Sequence, residues 1–190
     1  MKEPKGYSEA QAYTENEKLP AGGYPIKIMA AKVDTYDWGE VLLIQFDISE
    51  GQYKGFYKKN YESQQTENQK WKGTIRMNLP KDDGSEKDGW TIRGLKTNML
   101  ALEESNKGFK WEWDESKLKG LSVGGLFRDK EWQYEGKTGF FTECFKLYSL
   151  EKVRVGDFKM PDTKYLNGKQ SAPESVPTGM EITDEDIPFL

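Results

Sequence analysis

The sequence predicts a mainly β domain, a small five-stranded barrel with one helix between its third and fourth strands, followed by a disordered acidic tail. Three observations carry that prediction. Apolar and β-branched residues alternate at period two through most of the chain. One segment switches to three- and four-residue spacing. The composition changes abruptly after Tyr165.

Residues 1–21 are polar and poorly periodic, and Ala21-Gly22-Gly23 opens the first strand. From Tyr24 onward, Ile26, Ile28 and Ala30 alternate with Pro25, Lys27 and Met29. Asp37-Trp38-Gly39 supplies a turn. Val41 to Ile48 is a second strand rich in β-branched and aromatic residues. Ser49-Glu50-Gly51 turns again, and Tyr53 to Tyr61 reads as a third strand dense in Tyr, Phe and Lys. Residues 62–89 are polar, with Lys81-Asp82-Asp83-Gly84-Ser85 as a loop. Ile92, Leu95, Met99 and Leu102 then mark a helix that stops before Gly108. Phe109 to Trp113 alternates briefly. Leu121 to Tyr134 is the fourth strand, Glu135 to Gly139 a hairpin turn, and Phe140 to Leu150 the fifth strand, running on toward Val155. Three strands, a helix and two strands is the element order of the OB-fold, a five-stranded Greek-key barrel that binds oligonucleotides. On this reading residues 1–165 form the domain, 166–180 a linker without hydrophobic period, and 181–190 an acidic tip.

The chain of 190 residues has 28 Lys and Arg against 32 Asp and Glu, a net charge of −4. The deficit is local. From Gln170 there is no cation but five acids, Glu174, Glu181, Asp184, Glu185 and Asp186, leaving 28 basic and 27 acidic residues upstream. A near-neutral domain with an acidic appendage points to an interaction tail. There is no histidine, and Cys144 is the only cysteine. Zinc sites of Cys and His, His-based triads and a disulfide framework are therefore excluded. Cys144, inside an apolar-alternating run, is expected in the core. No apolar run is long enough to span a membrane, and Met1 to Gly6 lacks an apolar signal core, so an intracellular, reducing location is expected. No spacing pairs the carboxylates with a base, a metal motif or a phosphate loop, so no enzyme and no cofactor are expected.

With six Trp, ten Tyr and nine Phe, the chain has more aromatics than so polar a domain can bury. Two groups interleave them with cations. The first is Lys54, Phe56, Tyr57, Lys58 and Lys59, continued by Trp71 and Arg76. The second is Arg128, Lys130, Trp132 and Tyr134, which share one parity, with Lys137 across the turn. Single-stranded DNA offers phosphates to cations and base faces to aromatics, worth about 1–3 kcal/mol per stacked base. Alternation must bury half of the first group, and which half is left open by the pattern.

At the tip, Ile187, Pro188, Phe189 and Leu190 set apolar groups beside Asp184, Glu185 and Asp186. Acids next to an apolar anchor suit a partner pocket with a basic rim and an apolar base. The run Ile182-Thr183-Asp184-Glu185-Asp186-Ile187-Pro188-Phe189 resembles the C-terminal tip of bacterial single-stranded-DNA-binding proteins. Ser149 to Pro161 resembles the end of the OB domain in phage-encoded proteins of this kind from Gram-positive hosts. In that family the Phe is the last residue and its carboxylate is part of what partners recognise; here Leu190 follows. The resemblance implies a cytoplasmic protein of a bacterial host cell that coats single strands in replication or recombination. It also implies homo-oligomers, with replication or recombination proteins recruited through Asp184 to Phe189. The alternative is an OB-like protein-interaction adaptor that binds no DNA.

Overall fold

The computed structural model describes residues 18–167, and the tip and nearly all of the expected linker lie outside them. The described chain forms β1 (Gly22–Tyr36), β2 (Gly39–Ile48), α1 (Phe56–Ser63), β3 (Thr74–Asn78), α2 (Glu86–Ser105), β4 (Ser122–Tyr134), β5 (Lys137–Tyr148) and α3 (Leu150–Arg154), with a 3₁₀ turn at Glu115–Leu118. All strand pairings are antiparallel, in the order β3-β2-β1-β4-β5. The sheet is open: β3 and β5 are its edges, although their Cα atoms approach within 8 Å. Long β1 makes this curl possible. Gly22–Lys27 pair with β4, Ile26–Tyr36 with β2, and the register shifts between Ile28 and Ala30, where a bulge bends the strand.

One face of the sheet carries the core. Ile26 and Ile28 of β1, Leu42, Ile44, Phe46 and Ile48 of β2, Ile75 of β3, Phe127 of β4 and Leu147 of β5 are all essentially buried. Helix α2 caps this core through Leu95, Met99 and Leu102, as the helical spacing predicts, but Ile92 of the same series is exposed. The Ser85 side chain accepts the Asp88 N–H at 3.1 Å and starts the helix. Asp88 itself is buried and accepts the Lys81 N–H at 2.7 Å. Cys144 is buried as expected, and burial pushes its thiol pKa up, away from reactivity.

One expected strand and the expected continuation of another are helices. Tyr53 to Tyr61 is not the third strand; it enters α1. Tyr53, Tyr57 and Tyr61 are spaced by four, an even number that fits one face of a strand as well as one face of a helix. Local chemistry decides for the helix. Gly51 and Gly55 take φ of 80° and 73°, which interrupts extension. The Asp47 carboxylate, reaching over from β2, accepts N–H bonds from Tyr57 at 2.9 Å and Lys58 at 3.1 Å. That satisfies donors a first helical turn would otherwise leave free. The true third strand, Thr74–Asn78, lies inside the stretch read as polar. Likewise β5 stops at Tyr148 and does not continue to Val155, because Leu150–Arg154 turns into α3 and buries Leu150 and Val153. Phe109 to Trp113 forms no strand. No helix among the described residues is long and apolar enough to cross a membrane.

Candidate nucleic-acid interface

The first aromatic–cation group is dispersed by the fold. Tyr57 is a core residue at 6% exposure, edge-on to Phe46 at 5.4 Å between ring centres. Phe56 packs half-buried against the same cluster. Trp71 also faces inward: its indole N–H is shared between the Phe46 carbonyl at 3.1 Å and the Gly73 carbonyl at 3.0 Å. These three aromatics stabilise α1 and the β2–β3 junction. Of the cations, Lys54 is exposed just before α1, and Lys58 and Lys59 are exposed on it, Lys58 within 3.8 Å of Glu62. Only Arg76, on β3, belongs to a recognisable surface.

That surface is the tip of the β1–β2 hairpin. Cross-strand partners share a face of a sheet, so the pairings Arg76 with Leu43 and Leu43 with Lys32 put these residues on the side opposite the core. Tyr36, four residues beyond Lys32, shares that side. Trp38 in the turn lies parallel to Tyr36, ring centres 5.1 Å apart and planes 8° from parallel. Both are open to solvent, Tyr36 at 37% and Trp38 at 52%. Arg76 bonds the Tyr36 hydroxyl at 3.2 Å, with its guanidinium 5.9 Å from the ring centre. Among the described residues Arg76 makes no ion pair, so its charge is uncompensated. Tyr36 and Trp38 are absent from the sequence-derived site. The signal was there: an aromatic beside a two-residue turn and another within it have no core within reach.

The second group stays together. Arg128, Lys130, Trp132 and Tyr134 line one face of β4 through the pairs Arg128–Glu143, Lys130–Phe141, Trp132–Gly139 and Tyr134–Lys137. This is the common face expected from parity. Aromatics from β5 complete a ladder that sequence spacing alone does not show. Arg128 lies 4.4 Å from the Phe145 ring centre and Lys130 lies 5.4 Å from that of Phe141. Trp132 lies flat on Gly139, where an added Cβ would sit 2.8 Å from the indole, so no other residue fits there without moving the ring. Glu143 runs through the middle. Its carboxylate accepts bonds from Arg128 at 2.9 and 3.0 Å and from Lys130 at 3.1 Å. Burial raises the Glu143 pKa, but these bonds outweigh it and hold the carboxyl below its ordinary 4.5. Arg128 and Lys130 therefore share one internal carboxylate, which offsets part of their charge.

The two patches point apart. Strands β1 and β4 pair only over Gly22–Lys27 and Ser122–Phe127, antiparallel, so each hairpin leaves that shared ladder at the opposite end. The β4 edge beyond Phe127 is partly covered by the outgoing chain: the Lys164 N–H bonds the Asp129 carbonyl, and the Lys164 carbonyl accepts the Glu131 N–H. Among the described residues no group of three or more acids or cysteines is gathered for a metal ion. Compared with known proteins, the chain matches no family model and no curated protein.

Proposed function

We propose that this chain is a sequence-independent single-stranded-DNA-binding protein built on an OB-type barrel, and that it recruits replication or recombination proteins through Asp184 to Phe189. Support for the barrel comes from the strand order. β3-β2-β1-β4-β5 with the β3 and β5 edges drawn close becomes the OB topology on closing those two edges, with the helix α2 between strands three and four. The observation that carries the DNA reading is the exposed Tyr36–Trp38 stack beside an uncompensated Arg76 on strand three. In an OB barrel the faces of strands two and three and the loop between strands one and two form the oligonucleotide surface. A flat aromatic pair takes a base and the guanidinium takes a phosphate, with no contact that reads sequence. The β4–β5 ladder is a secondary contact, limited by its internal carboxylate. The resemblance of the tip to that of bacterial single-stranded-DNA-binding proteins supports the recruiting role.

Titration with oligo(dT) tests the reading. Stacking on Trp38 quenches indole emission, and the apparent affinity falls with salt at a log–log slope of about −0.7 per phosphate neutralised. A silent titration with unchanged emission at low salt refutes the proposal in favour of the protein-adaptor alternative.

A further inference from the structure

The start of α2 lies next to the β1–β2 tip, and Lys81 joins the two. Its ε-carbon is 3.2 Å from where a Cβ on Gly39 would sit, and its backbone N–H bonds the buried Asp88 carboxylate at 2.7 Å. Two residues past Asp88 stands Trp90, 63% exposed although α2 has a core to fill. The Arg93 guanidinium lies 4.4 Å from its ring centre and is held there by an Nε–H bond to the Gly89 carbonyl at 3.2 Å. With one face of the indole covered by Arg93, that much exposure means the other face is open. Arg93 makes no ion pair among the described residues. Lys81 and Lys87 are less available: hydrogen bonds from Ser85 hold the Asp83 carboxyl below its usual range, and these two lysines assist.

Glycine marks the same place. Gly89 and Gly94 sit inside a 20-residue helix, which glycine weakens. Packing does not require them. A Cβ on Gly94 would meet nothing within 4 Å, one on Gly89 only the Arg93 guanidinium at 4.0 Å, and neither residue takes a left-handed φ. Gly94 is one turn from Trp90 on the same side of the helix, so bare main chain adjoins the open ring. Glycine without a structural need suits a ligand that comes close to the backbone.

We infer that Trp90, Arg93 and Gly94 form a second nucleotide subsite, onto which a single strand continues from Tyr36 and Trp38 past Lys81. The inference rests on the reading of the β1–β2 tip as a DNA surface. A base stacks on the open face of Trp90 while the strand's backbone passes over Gly94. Glu86, one turn before Trp90, repels phosphate on its side, which leaves Arg93 as the phosphate contact. The subsite repeats the chemistry of the tip, an open ring beside a cation without an acid, and it reads no sequence either.

Oligo(dT) titrations of the full chain at several salt concentrations, with melting followed in parallel, test the subsite. Trp90→Ala is expected to weaken binding about fivefold or more with the salt slope and melting unchanged. Arg93→Gln weakens it less but makes the slope shallower by about 0.7. Gly94→Gln separates binding from folding: melting rises, because glutamine is the better helix former, while affinity falls because the new side chain stands over the strand. Parent-like affinity in all three variants, with Trp38→Ala still weakened, overturns the subsite and leaves the DNA reading of the tip standing. Weakening at Trp90 with none at Trp38 overturns the continuous path, since the strand then lies on α2 without touching the tip. If the parent chain binds no oligo(dT), the DNA reading falls and the subsite with it.

Discussion

At the tip of β1–β2, Arg76 meets the hydroxyl and ring of Tyr36 and no acid among the described residues, whereas on β4–β5 Arg128 and Lys130 share the carboxylate of Glu143. The residue types are the same, and both regions are hairpins that outrun the sheet. The difference lies in whether the cation's charge is already spent. A phosphate approaching Arg76 gains a full charge-assisted bond, while one approaching Arg128 must compete with a carboxylate at 2.9 Å. Aromatics divide in the same way: Trp38 has an open face, Trp132 lies on Gly139, and Trp71 spends its N–H inside the fold. Alternating aromatics and cations therefore mark a binding surface only where the fold leaves them without internal partners.

The largest effect that would break this distinction is at Trp71. Trp71→Ala removes a half-buried ring and the indole donor to the Phe46 and Gly73 carbonyls, of which Gly73 keeps the Phe46 N–H, and should cost about 3 kcal/mol of stability. Thermal melting is the measurement, with DNA affinity of the folded fraction expected to stay constant. A normal melting temperature with weakened DNA binding would return Trp71 to the interface.

Next comes Trp38→Ala, expected to lose about 1–3 kcal/mol of oligo(dT) affinity, roughly fivefold or more, with melting unchanged. Trp132→Ala is the paired control, and its loss of affinity should be smaller. If Trp132 proves the more sensitive, the ladder is the primary surface and the ranking of the two hairpins is inverted.

Arg76→Gln should cost about 1 kcal/mol and make the salt slope shallower by about 0.7. An unchanged slope would mean that no phosphate sits at Arg76.

The smallest effect is at Glu143. Its pKa is lowered in the folded state, so its contribution to stability is present above the ordinary 4.5 and is lost as pH falls through the folded value. With the group partly exposed, that contribution is below about 1 kcal/mol. Glu143→Gln should lower the melting temperature slightly at neutral pH and flatten its fall below pH 4.5. It should also tighten oligo(dT) binding at low salt by releasing Arg128 and Lys130. Unchanged affinity on releasing both cations would remove the ladder from the DNA path altogether.

Much of this molecule was legible residue by residue. Strand β1 announces itself by alternation, β2 by a run rich in β-branched and aromatic residues, and β4 and β5 by the hairpin turn that joins them. Helix α2 does so because Leu95, Met99 and Leu102 repeat at its own period. The shared face of Arg128, Lys130, Trp132 and Tyr134 follows from parity alone, and the charge division between domain and tail from counting. Tertiary structure decided the rest. Tyr53, Tyr57 and Tyr61 satisfy both periods, and the choice of helix came from Asp47, ten residues before Tyr57 in sequence and adjacent only after folding. Thr74–Asn78 has just two buried side chains, Ile75 and Met77, and becomes a strand because β2 offers it an edge. Whether a cation is free depends on what its neighbours across the sheet carry: Glu143 on β5 answers Arg128 on β4, and among the described residues no acid answers Arg76. Spacing along one strand sets which side chains share a face, but only register between strands sets which charges meet.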